Sequence, residues 1–246
     1  MNGKQIRLNR LTHNGKMLCV PLDHGITISD IGHLAEFNKI VSTIVDAGAS
    51  AIIVHKGMVK FLPELKGTGL IVHLSASTSE ITPVYKVLVC DVEEALSLGA
   101  DAVSIHVNLG NKYEKQMLQD LSKVSRDCEK FGVPLFAMMY IRDDNNNDIS
   151  DPNAEKHSVR IAAELGADIV KIGANWDPEQ LKNMVKSALI PIVVAGGDVL
   201  NLETFIESSK RIIKSGVLGV SFGRNVFMSM SPSITMSQLA RIVYNS

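Results

Sequence analysis

The 246-residue sequence lacks the features that would assign it to several specialised classes of protein. It has no uninterrupted run of about 18 apolar residues, so we expect no membrane span. Residues 1–16 contain no apolar segment of the kind found in secretory signals. Its three cysteines are widely spaced among apolar residues, which is typical of a reduced chain without disulfides. The sequence therefore predicts a soluble, cytoplasmic protein.

The chain also lacks an excess of either charge, because 25 basic residues face 26 acidic ones. A formal charge of −1 gives no reason to expect nucleic acid or an acidic membrane as the main partner. Aromatic residues are few, at 5%, but hydrophobic residues make up 46% of the chain, which is enough for a large core.

A rough internal repeat is the strongest positive signal in the sequence. Each copy contains the end of a helix, then a glycine, then a strand rich in valine and isoleucine. Gly99, Gly132 and Gly166 recur at intervals of 33 and 34 residues, the length of one strand-helix unit. The copies are residues 46–57, 97–108, 130–140, 164–175 and 214–225.

Eight apolar runs alternate with amphipathic stretches along the chain. The runs predict buried strands; they are Leu18–Leu22, Ala51–Val54, Leu70–Leu74, Ala102–Val107, Pro134–Met139, Asp168–Ile172, Pro191–Ala195 and Val217–Phe222. The amphipathic stretches predict helices; they are 33–47, 91–98, 112–130, 153–165, 177–187, 201–214 and 234–244, with a short helix within 57–66. Val84–Cys90 is an additional apolar run, which we interpret as an excursion from the repeat.

This alternation predicts parallel strands joined by right-handed crossovers. Closure of eight such strands gives an α/β fold of the TIM (β/α)8 barrel type, and the chain has about the length that this fold uses. We expect a single domain over residues 1–246, with residues 1–16 as a short N-terminal extension. A doubly wound open sheet is the alternative, but the first strand, in MLCVPLDHG, is not followed by the glycine fingerprint of a dinucleotide site.

Polar groups and glycines stand where each of the eight strands ends. In a barrel, the carboxyl ends of the strands meet at one rim, and that rim carries the chemistry. We therefore predict a polar pocket at this rim. The strand-end residues are Asp23, His24, His55, Lys56, His73, Ser75, His106, Asn108, Tyr140, Lys171, Gly196, Gly197, Gly223 and Arg224.

Lys171 is out of place in an otherwise apolar strand. Side-chain alternation puts it on one face with Ile169 and Gly173. A buried lysine is rare unless it has a partner or a chemical task. One interpretation is a structural ion pair with a carboxylate such as Asp23. The other is an amine nucleophile that forms a Schiff base with a carbonyl substrate, because burial and neighbouring cations favour a neutral amine.

Tyr140 and Asp23 are candidates for proton transfer beside that lysine. Tyr140 ends the preceding strand, and its phenol can donate a proton to a developing alkoxide, although a merely packed tyrosine would stand in the same place. Asp23 ends the first strand, where a carboxylate can shuttle protons or hold a substrate hydroxyl. The alternative for Asp23 is a charge partner of Lys171 or Lys56.

The last two predicted strands end in glycines. Gly196 and Gly197 lie in VVAGGD, and Gly223 and Arg224 lie in SFGRN. Barrels commonly bind phosphate between these two loops, where bare backbone N–H groups approach the oxygens and a cation completes the site. We predict a phosphate site here, although ordinary turns also use glycine pairs.

Four of the strand-end residues are histidines, which raises the alternative of a metal-dependent mechanism. Zinc would require three of them around an open coordination position. Isolated strand-end histidines more often bind substrate through hydrogen bonds, so we predict no metal site. The histidines are His24, His55, His73 and His106.

Eight short motifs together resemble the archaeal-type class I aldolases of the DeoC/fructose-bisphosphate aldolase class, and within it the heptulosonate synthase branch. The likeness extends from GKQIRLNRL near the start to GRNVF, over most of the chain. The motifs are VPLDHG (20–25), HKG (55–57), HLSASTS (73–79), SIHVN (104–108), MMY (138–140), GADIVK (166–171), AGG (195–197) and GRNVF (223–227).

The resemblance implies that Lys171 is the Schiff-base lysine, Tyr140 the proton donor and Asp23 the proton acceptor. It implies covalent chemistry on the lysine without a cofactor, a phosphorylated ketose as donor, a small aldehyde as acceptor, and a homo-oligomer. The residues that it implies around the phosphorylated sugar are Asp23, His24, Gly25, Ile26, Thr27, Tyr140, Ile141, Arg142, Gly196, Gly197, Gly223 and Arg224.

Two rim loops depart from the family pattern. The family has Tyr-Pro-Arg-Gly after the tyrosine, where this chain has YIRDDNNND, and a Thr-Asn-Tyr type of sequence after the lysine, where this chain has IGANW. We therefore expect intact chemistry with an altered acceptor site. The leading expectation is transfer to L-aspartate semialdehyde, with Arg142, Asp143, Asp144 and Asn175 available to hold it. The alternatives are cleavage of fructose bisphosphate or a related phosphoketose, and a non-catalytic phosphosugar-binding barrel.

Overall fold

The computed structural model describes residues 3–78, 83–174 and 176–245. Its strands are β1 (Met17–Pro21), β2 (Ala51–His55), β3 (Gly69–His73), β4 (Ser75–Ala76), β5 (Val87–Leu88), β6 (Ala102–Leu109), β7 (Leu135–Ile141), β8 (Ile169–Ile172), β9 (Ile192–Ala195) and β10 (Gly219–Ser221). Eight of them are parallel and close into a barrel in the order β1-β10-β9-β8-β7-β6-β3-β2. The predicted (β/α)8 barrel is confirmed, and the open-sheet alternative is wrong, because β1 pairs with both β2 and β10.

Helices occupy the predicted places between the barrel strands, and the first and eighth helices of the structure are additional to the prediction. The helices are α1 (Gly3–Arg10), α2 (Phe37–Asp46), α3 (Val92–Ser97), α4 (Glu114–Phe131), α5 (Pro152–Glu164), α6 (Pro178–Ser187), α7 (Leu202–Lys214), α8 (Arg224–Phe227) and α9 (Pro232–Tyr244). The weak second helix is a 3-10 segment, Lys56–Phe61. The side chains of Asp151 and Asp177 accept backbone N–H groups at the starts of α5 and α6. Gly132 ends α4 in the left-handed conformation, with φ of 64°. None of the described helices is long and apolar enough to cross a membrane.

The core consists of two layers separated by the barrel wall. Val170 and Ile172 belong to the outer layer, between strands and helices. Ile169 belongs to the inner layer, where it packs with residues such as Phe136 and Met138 of β7. Lys171 alternates with the outer pair and is therefore on the inner face, which is one of the two faces that the sequence allowed.

Helix α1 lies against the amino-terminal end of the barrel. Lys4 forms ion pairs with Asp168 (3.2 Å) and Glu129 (3.0 Å), and Arg10 forms one with Asp101 (3.0 Å). Leu11, just after the helix, is completely buried in the inner layer. This end of the barrel is therefore filled by side chains, and the opposite rim is left for the site. The assignment of residues 1–246 to one domain, with 1–16 as an extension, stays a prediction.

Two of the predicted segments differ in detail from the sequence analysis. The additional run Val84–Cys90 contributes β5, which pairs antiparallel with β4 at the rim. Strand β7 continues to Ile141, because its pairing with β6 extends to Leu109–Ile141 and the backbone N–H of Ile149 donates to the Ile141 carbonyl oxygen at 2.9 Å. Tyr140 therefore lies within a strand, which holds its backbone more firmly than a loop would.

Candidate active site

Lys171 lies at the bottom of a cavity of about 400 Å³ at the carboxyl-terminal rim of the barrel. Only 7% of the residue is exposed. Its Cα pairs in register with Met138 of β7 and Val193 of β9, two apolar neighbours of the inner face. Within the described part of the chain, Lys171 forms no hydrogen bond or ion pair, so the structural pair with Asp23 is not made. An unpaired, buried amine facing a cavity of ligand size is the arrangement that a nucleophile needs.

Tyr140 faces the same cavity from the neighbouring strand. It is two residues beyond Met138, which is level with Lys171, so its side chain lies on the same inner face. Its ring centroid is 4.9 Å from that of His106, and the Arg142 guanidinium lies 5.7 Å from the Tyr140 ring. These contacts fix the orientation of the ring toward the cavity wall.

His106 is held as a neutral ring beside Tyr140. Burial, followed by the charge of Lys86, lowers the pKa of His106 well below its ordinary value. Its Nε2 is 2.9 Å from Oδ1 of Asn108, so this nitrogen carries the proton and donates it to the amide oxygen. Asn108 in turn donates to the Val84 carbonyl oxygen at 2.7 Å, which connects the rim excursion to the barrel.

Asp23 lies among histidines rather than in the cavity lining. Its carboxylate oxygens are 3.6 Å from Nδ1 of His24 and 3.7 Å from Nε2 of His73. Burial alone raises the pKa of Asp23, but His73, His24 and Lys171 together hold it well below the usual range. Burial lowers the pKa of His73 to about 4, although Asp23 opposes this change. At neutral pH the cluster is therefore an ionised carboxylate beside neutral rings and the lysine.

The glycine loops after β9 and β10 form a concave backbone surface at one end of the cavity. A Cβ at Gly223 would lie 2.6 Å from Cε1 of His24 and 2.8 Å from the Pro21 carbonyl oxygen, so only glycine fits there. Arg224 donates to the Gly197 carbonyl oxygen at 2.9 Å. Asn225 donates to the carbonyl oxygens of Gly196 (3.0 Å) and Asp198 (2.9 Å), which ties the two loops together.

The structure brings some of the predicted site residues to the cavity wall and places others elsewhere. His24, His106, Tyr140, Ile141, Arg142, Lys171, Gly196, Gly197, Gly223 and Arg224 line the cavity. His55 is buried beside His73, with ring centroids 5.3 Å apart. Lys56 turns away and pairs with Glu94 at 3.0 Å. Gly25, Ile26 and Thr27 follow His24 in a 3-10 turn outside the cavity lining, and Thr27 donates to the Ser77 carbonyl oxygen.

The rim loop after Tyr140 folds back on itself. Arg142 donates to Asn146 and pairs with Asp148 at 2.8 Å. Asp143 is outside the cavity lining, and its carboxylate accepts the backbone N–H groups of Asn145 and Asn147. Asp144 accepts the backbone N–H of Lys112 at 2.8 Å, outside the cavity lining. Asn175 lies outside the described residues.

Sequence reasoning missed two ionisable groups at this site. Glu155, in the first turn of α5, lines the cavity, and burial, followed by Asp148 and Asp151, raises its pKa to about 7. Lys86, in the rim excursion, is outside the cavity lining; burial, followed by the charge of Arg142, lowers its pKa to about 8, although Asp23 opposes this change. Lys86 carries the same signal as Lys171, a single cation in an apolar run, whereas nothing in the sequence distinguishes Glu155.

The four strand-end histidines do not assemble a metal-binding group. Among residues 3–78, 83–174 and 176–245, no three His, Cys, Asp or Glu side chains are placed so that they could hold a metal ion. His73 instead shares a hydrogen bond with Ser104, with Nδ1 2.7 Å from the hydroxyl oxygen. The three cysteines, at positions 19, 90 and 128, are free and buried.

Comparison with known proteins agrees with this geometry. The chain is 39% identical over 249 residues to 2-amino-3,7-dideoxy-D-threo-hept-6-ulosonate synthase 1 of Archaeoglobus fulgidus, with 100% of this chain and 93% of that protein covered. It is 36% identical over 252 residues to 2-amino-4,5-dihydroxy-6-oxo-7-(phosphonooxy)heptanoate synthase of Streptomyces griseus, with 99% and 91% covered.

The chain is also similar to a solved structure that contains a covalent reaction intermediate. An archaeal fructose-1,6-bisphosphate aldolase, with its catalytic lysine covalently bound to the carbinolamine intermediate of the substrate, matches with a TM-score of 0.90 at 29% identity. The match covers 99% of this chain and 100% of that one. The barrel and its buried lysine thus define an aldolase of class I. A model of the DeoC/LacD family of aldolases matches residues 17–229, and the chain belongs to that family.

Proposed function

We propose that this aldolase forms a Schiff base between Lys171 and a phosphorylated ketose, and transfers the ketose-derived unit to L-aspartate semialdehyde. The observation that carries the proposal is the buried Lys171 amine, which faces the cavity without an ion pair in the described part of the chain. A reactive amine must be unpaired and next to the space where the carbonyl carbon will lie.

The chemistry follows from the electron-accepting character of a protonated imine. The Lys171 amine adds to the ketone to give a carbinolamine, which loses water to give an iminium ion. The bond between the carbons α and β to the former carbonyl carbon then breaks while the β-hydroxyl loses its proton; the electron pair of the bond enters the iminium system as an enamine, and an aldehyde leaves. The enamine attacks the acceptor aldehyde, and water releases the product from the lysine.

Tyr140 and Asp23 are proposed to move the protons. Tyr140 lies one layer above Lys171 on the adjacent strand. When the enamine adds to an aldehyde, the phenol can protonate the alkoxide that forms; in cleavage, the same oxygen can take the proton back from the hydroxyl. Asp23 stays ionised at neutral pH because its pKa is lowered, so it can accept the ammonium proton of the adduct as the carbinolamine forms and return it to the hydroxyl that leaves as water. No metal or organic cofactor takes part in these steps, and we expect activity to persist in the presence of a chelator.

The glycine loops are proposed to hold the donor phosphate. Gly196, Gly197 and Gly223 leave the backbone bare at the cavity wall, and Arg224 is the nearby cation. Backbone N–H groups together with a guanidinium are the donors that phosphate oxygens accept.

The acceptor is inferred from the chemistry of the products that name the two relatives. Cleavage between C4 and C5 divides 2-amino-4,5-dihydroxy-6-oxo-7-(phosphonooxy)heptanoate into dihydroxyacetone phosphate and a four-carbon 2-amino-4-oxo acid, aspartate semialdehyde. The heptulosonate gives the same four-carbon acid but carries no oxygen at C7. The four-carbon half is therefore common to both, and the glycine loops favour a donor with phosphate next to the reacting ketone.

A fructose-bisphosphate aldolase is the second candidate, because the structural match is to such an enzyme. We would supply dihydroxyacetone phosphate with L-aspartate semialdehyde or glyceraldehyde 3-phosphate, and measure the rate of each and the product masses. We expect faster reaction with the semialdehyde and a seven-carbon amino acid phosphate. Preference for the phosphorylated aldehyde would assign the chain to fructose-bisphosphate chemistry.

A further inference from the structure

Glu155 is a carboxylate at the cavity wall that the mechanism above leaves without a task. Its Oε2 is buried and has no hydrogen-bond partner among the described residues. Both of its carboxylate oxygens are 4.0 Å from the point that a Cβ would occupy at Gly173. Gly173 is two residues beyond Lys171 on the same face of the chain, so Glu155 lies just above the lysine. A polar atom left unpaired in a cavity wall is a place for a donor group of a ligand.

The position of Glu155 around the barrel separates it from the phosphate site. The strand order is β7-β8-β9-β10, and Lys171 is on β8. The glycine loops follow β9 and β10, on one side of the lysine. Arg142 follows β7, and Glu155 lies in the first turn of the helix that joins β7 to β8, so both lie on the other side. A substrate attached to Lys171 with its phosphate in the glycine loops therefore directs its other end toward Arg142 and Glu155.

The charges on that side match an amino acid. A second phosphate there would meet the carboxylate of Glu155, which repels it, and an Arg142 guanidinium whose charge Asp148 already balances. An ammonium group, in contrast, gives Glu155 the cationic partner that it lacks, and Arg142 offers a guanidinium to a carboxylate. An amine and a carboxylate on one carbon need such a pair of opposite charges.

We propose that Glu155 binds the α-ammonium group of the acceptor and thereby selects a 2-amino-4-oxo acid over the same aldehyde without the amine. This assignment rests on the proposed function. It adds a specificity-determining residue on α5, a helix outside the two loops where the sequence departs from the family.

The test compares two aldehydes that differ only in the amine. L-aspartate semialdehyde and succinate semialdehyde have the same carbon chain and carboxylate, so the ratio of their kcat/KM values isolates the contribution of the ammonium group. We expect Glu155→Gln to lower this ratio about 10- to 100-fold, the range of a hydrogen bond to a charged group. Glu155→Asp should recover part of the ratio, because it restores the carboxylate at a greater distance.

Glu179→Gln is the matched control. Glu179 is also in the first turn of a proline-started helix with an aspartate cap, but it is exposed and outside the cavity lining. Its substitution should leave the ratio unchanged. If both Glu155→Gln and Glu155→Asp are folded, as judged by circular dichroism, and both leave the ratio unchanged, the assignment is overturned. Absence of any turnover of aspartate semialdehyde by the unaltered enzyme would instead overturn the proposed function itself.

Discussion

Glu155→Gln should make the enzyme more stable at alkaline pH, a result that depends on burial and on neighbouring carboxylates and not on the identity of any substrate. The pKa of Glu155 rises from 4.5 to about 7 on folding, first through burial and then through Asp148 and Asp151. A carboxyl group with a raised pKa favours its neutral form in the folded state. The ionised form therefore destabilises the fold, and stability is lost as pH rises from about 4.5 to about 7.

The size of this effect follows from the same pKa values. At 1.36 kcal/mol per pH unit, the upper limit is about 3.4 kcal/mol. Because Glu155 is only half-buried, solvent screening reduces this to about 1–2 kcal/mol. Glutamine has the same shape and no charge, so the variant should lack the penalty at pH 8 and share the stability of the unaltered enzyme near pH 4.5.

Urea unfolding at pH 5 and pH 8 measures this difference directly. The free energy of unfolding of Glu155→Gln, relative to that of the unaltered enzyme, should be larger at pH 8 than at pH 5 by about 1–2 kcal/mol. Glu179→Gln should show no such pH dependence. If the difference in the free energy of unfolding between Glu155→Gln and the unaltered enzyme is the same at both pH values, the pKa of Glu155 is not raised by folding and the prediction is wrong.

Three further predictions concern the other groups of the site. Arg224→Ala should weaken binding of a phosphorylated donor by about 1.5–3 kcal/mol, and should weaken binding of the dephosphorylated analogue far less. The KM values of the two donors measure this difference. Equal losses for both donors would mean that the loop only supports structure. Gly223→Ala should lower kcat about 100-fold, because its Cβ would lie 2.6 Å from the His24 ring, whereas Gly57→Ala has nothing within 4 Å and should be neutral in the same assay. Asp23→Asn should lower kcat about 100- to 10,000-fold. In the unaltered enzyme the pH profile should show no ionisation of Asp23 above pH 5, since its pKa is well below the usual range.

The fold and the reactive lysine were predictable because both depend on local pattern. The 33- and 34-residue spacing of Gly99, Gly132 and Gly166 reflects one structural unit repeated around the barrel. Lys171 was recognisable because a single cation in an apolar strand has no ordinary reason to be there. Strand-end position also brought the lysine, Tyr140 and the glycine loops to one cavity.

The direction of side chains beyond the strand ends was not predictable in the same way. Lys56 follows a strand, but a 3-10 turn carries it toward Glu94. Asp143 belongs to a rim loop that uses its carboxylate to hold its own backbone. Glu155 reaches the cavity only because α5 begins against the end of β8, a relation between segments that sequence periodicity does not contain. Turns and packing between neighbouring units therefore decide which of the candidate groups contact a substrate.

Trapping of the imine tests directly whether Lys171 is the nucleophile. The enzyme is incubated with dihydroxyacetone phosphate and borohydride, digested, and the mass of each lysine-containing peptide is measured. We expect a reduced adduct on the peptide that contains Lys171, and neither adduct nor turnover in Lys171→Arg, which keeps the charge. An adduct on Lys86 or Lys56, or turnover by the arginine variant, would contradict it.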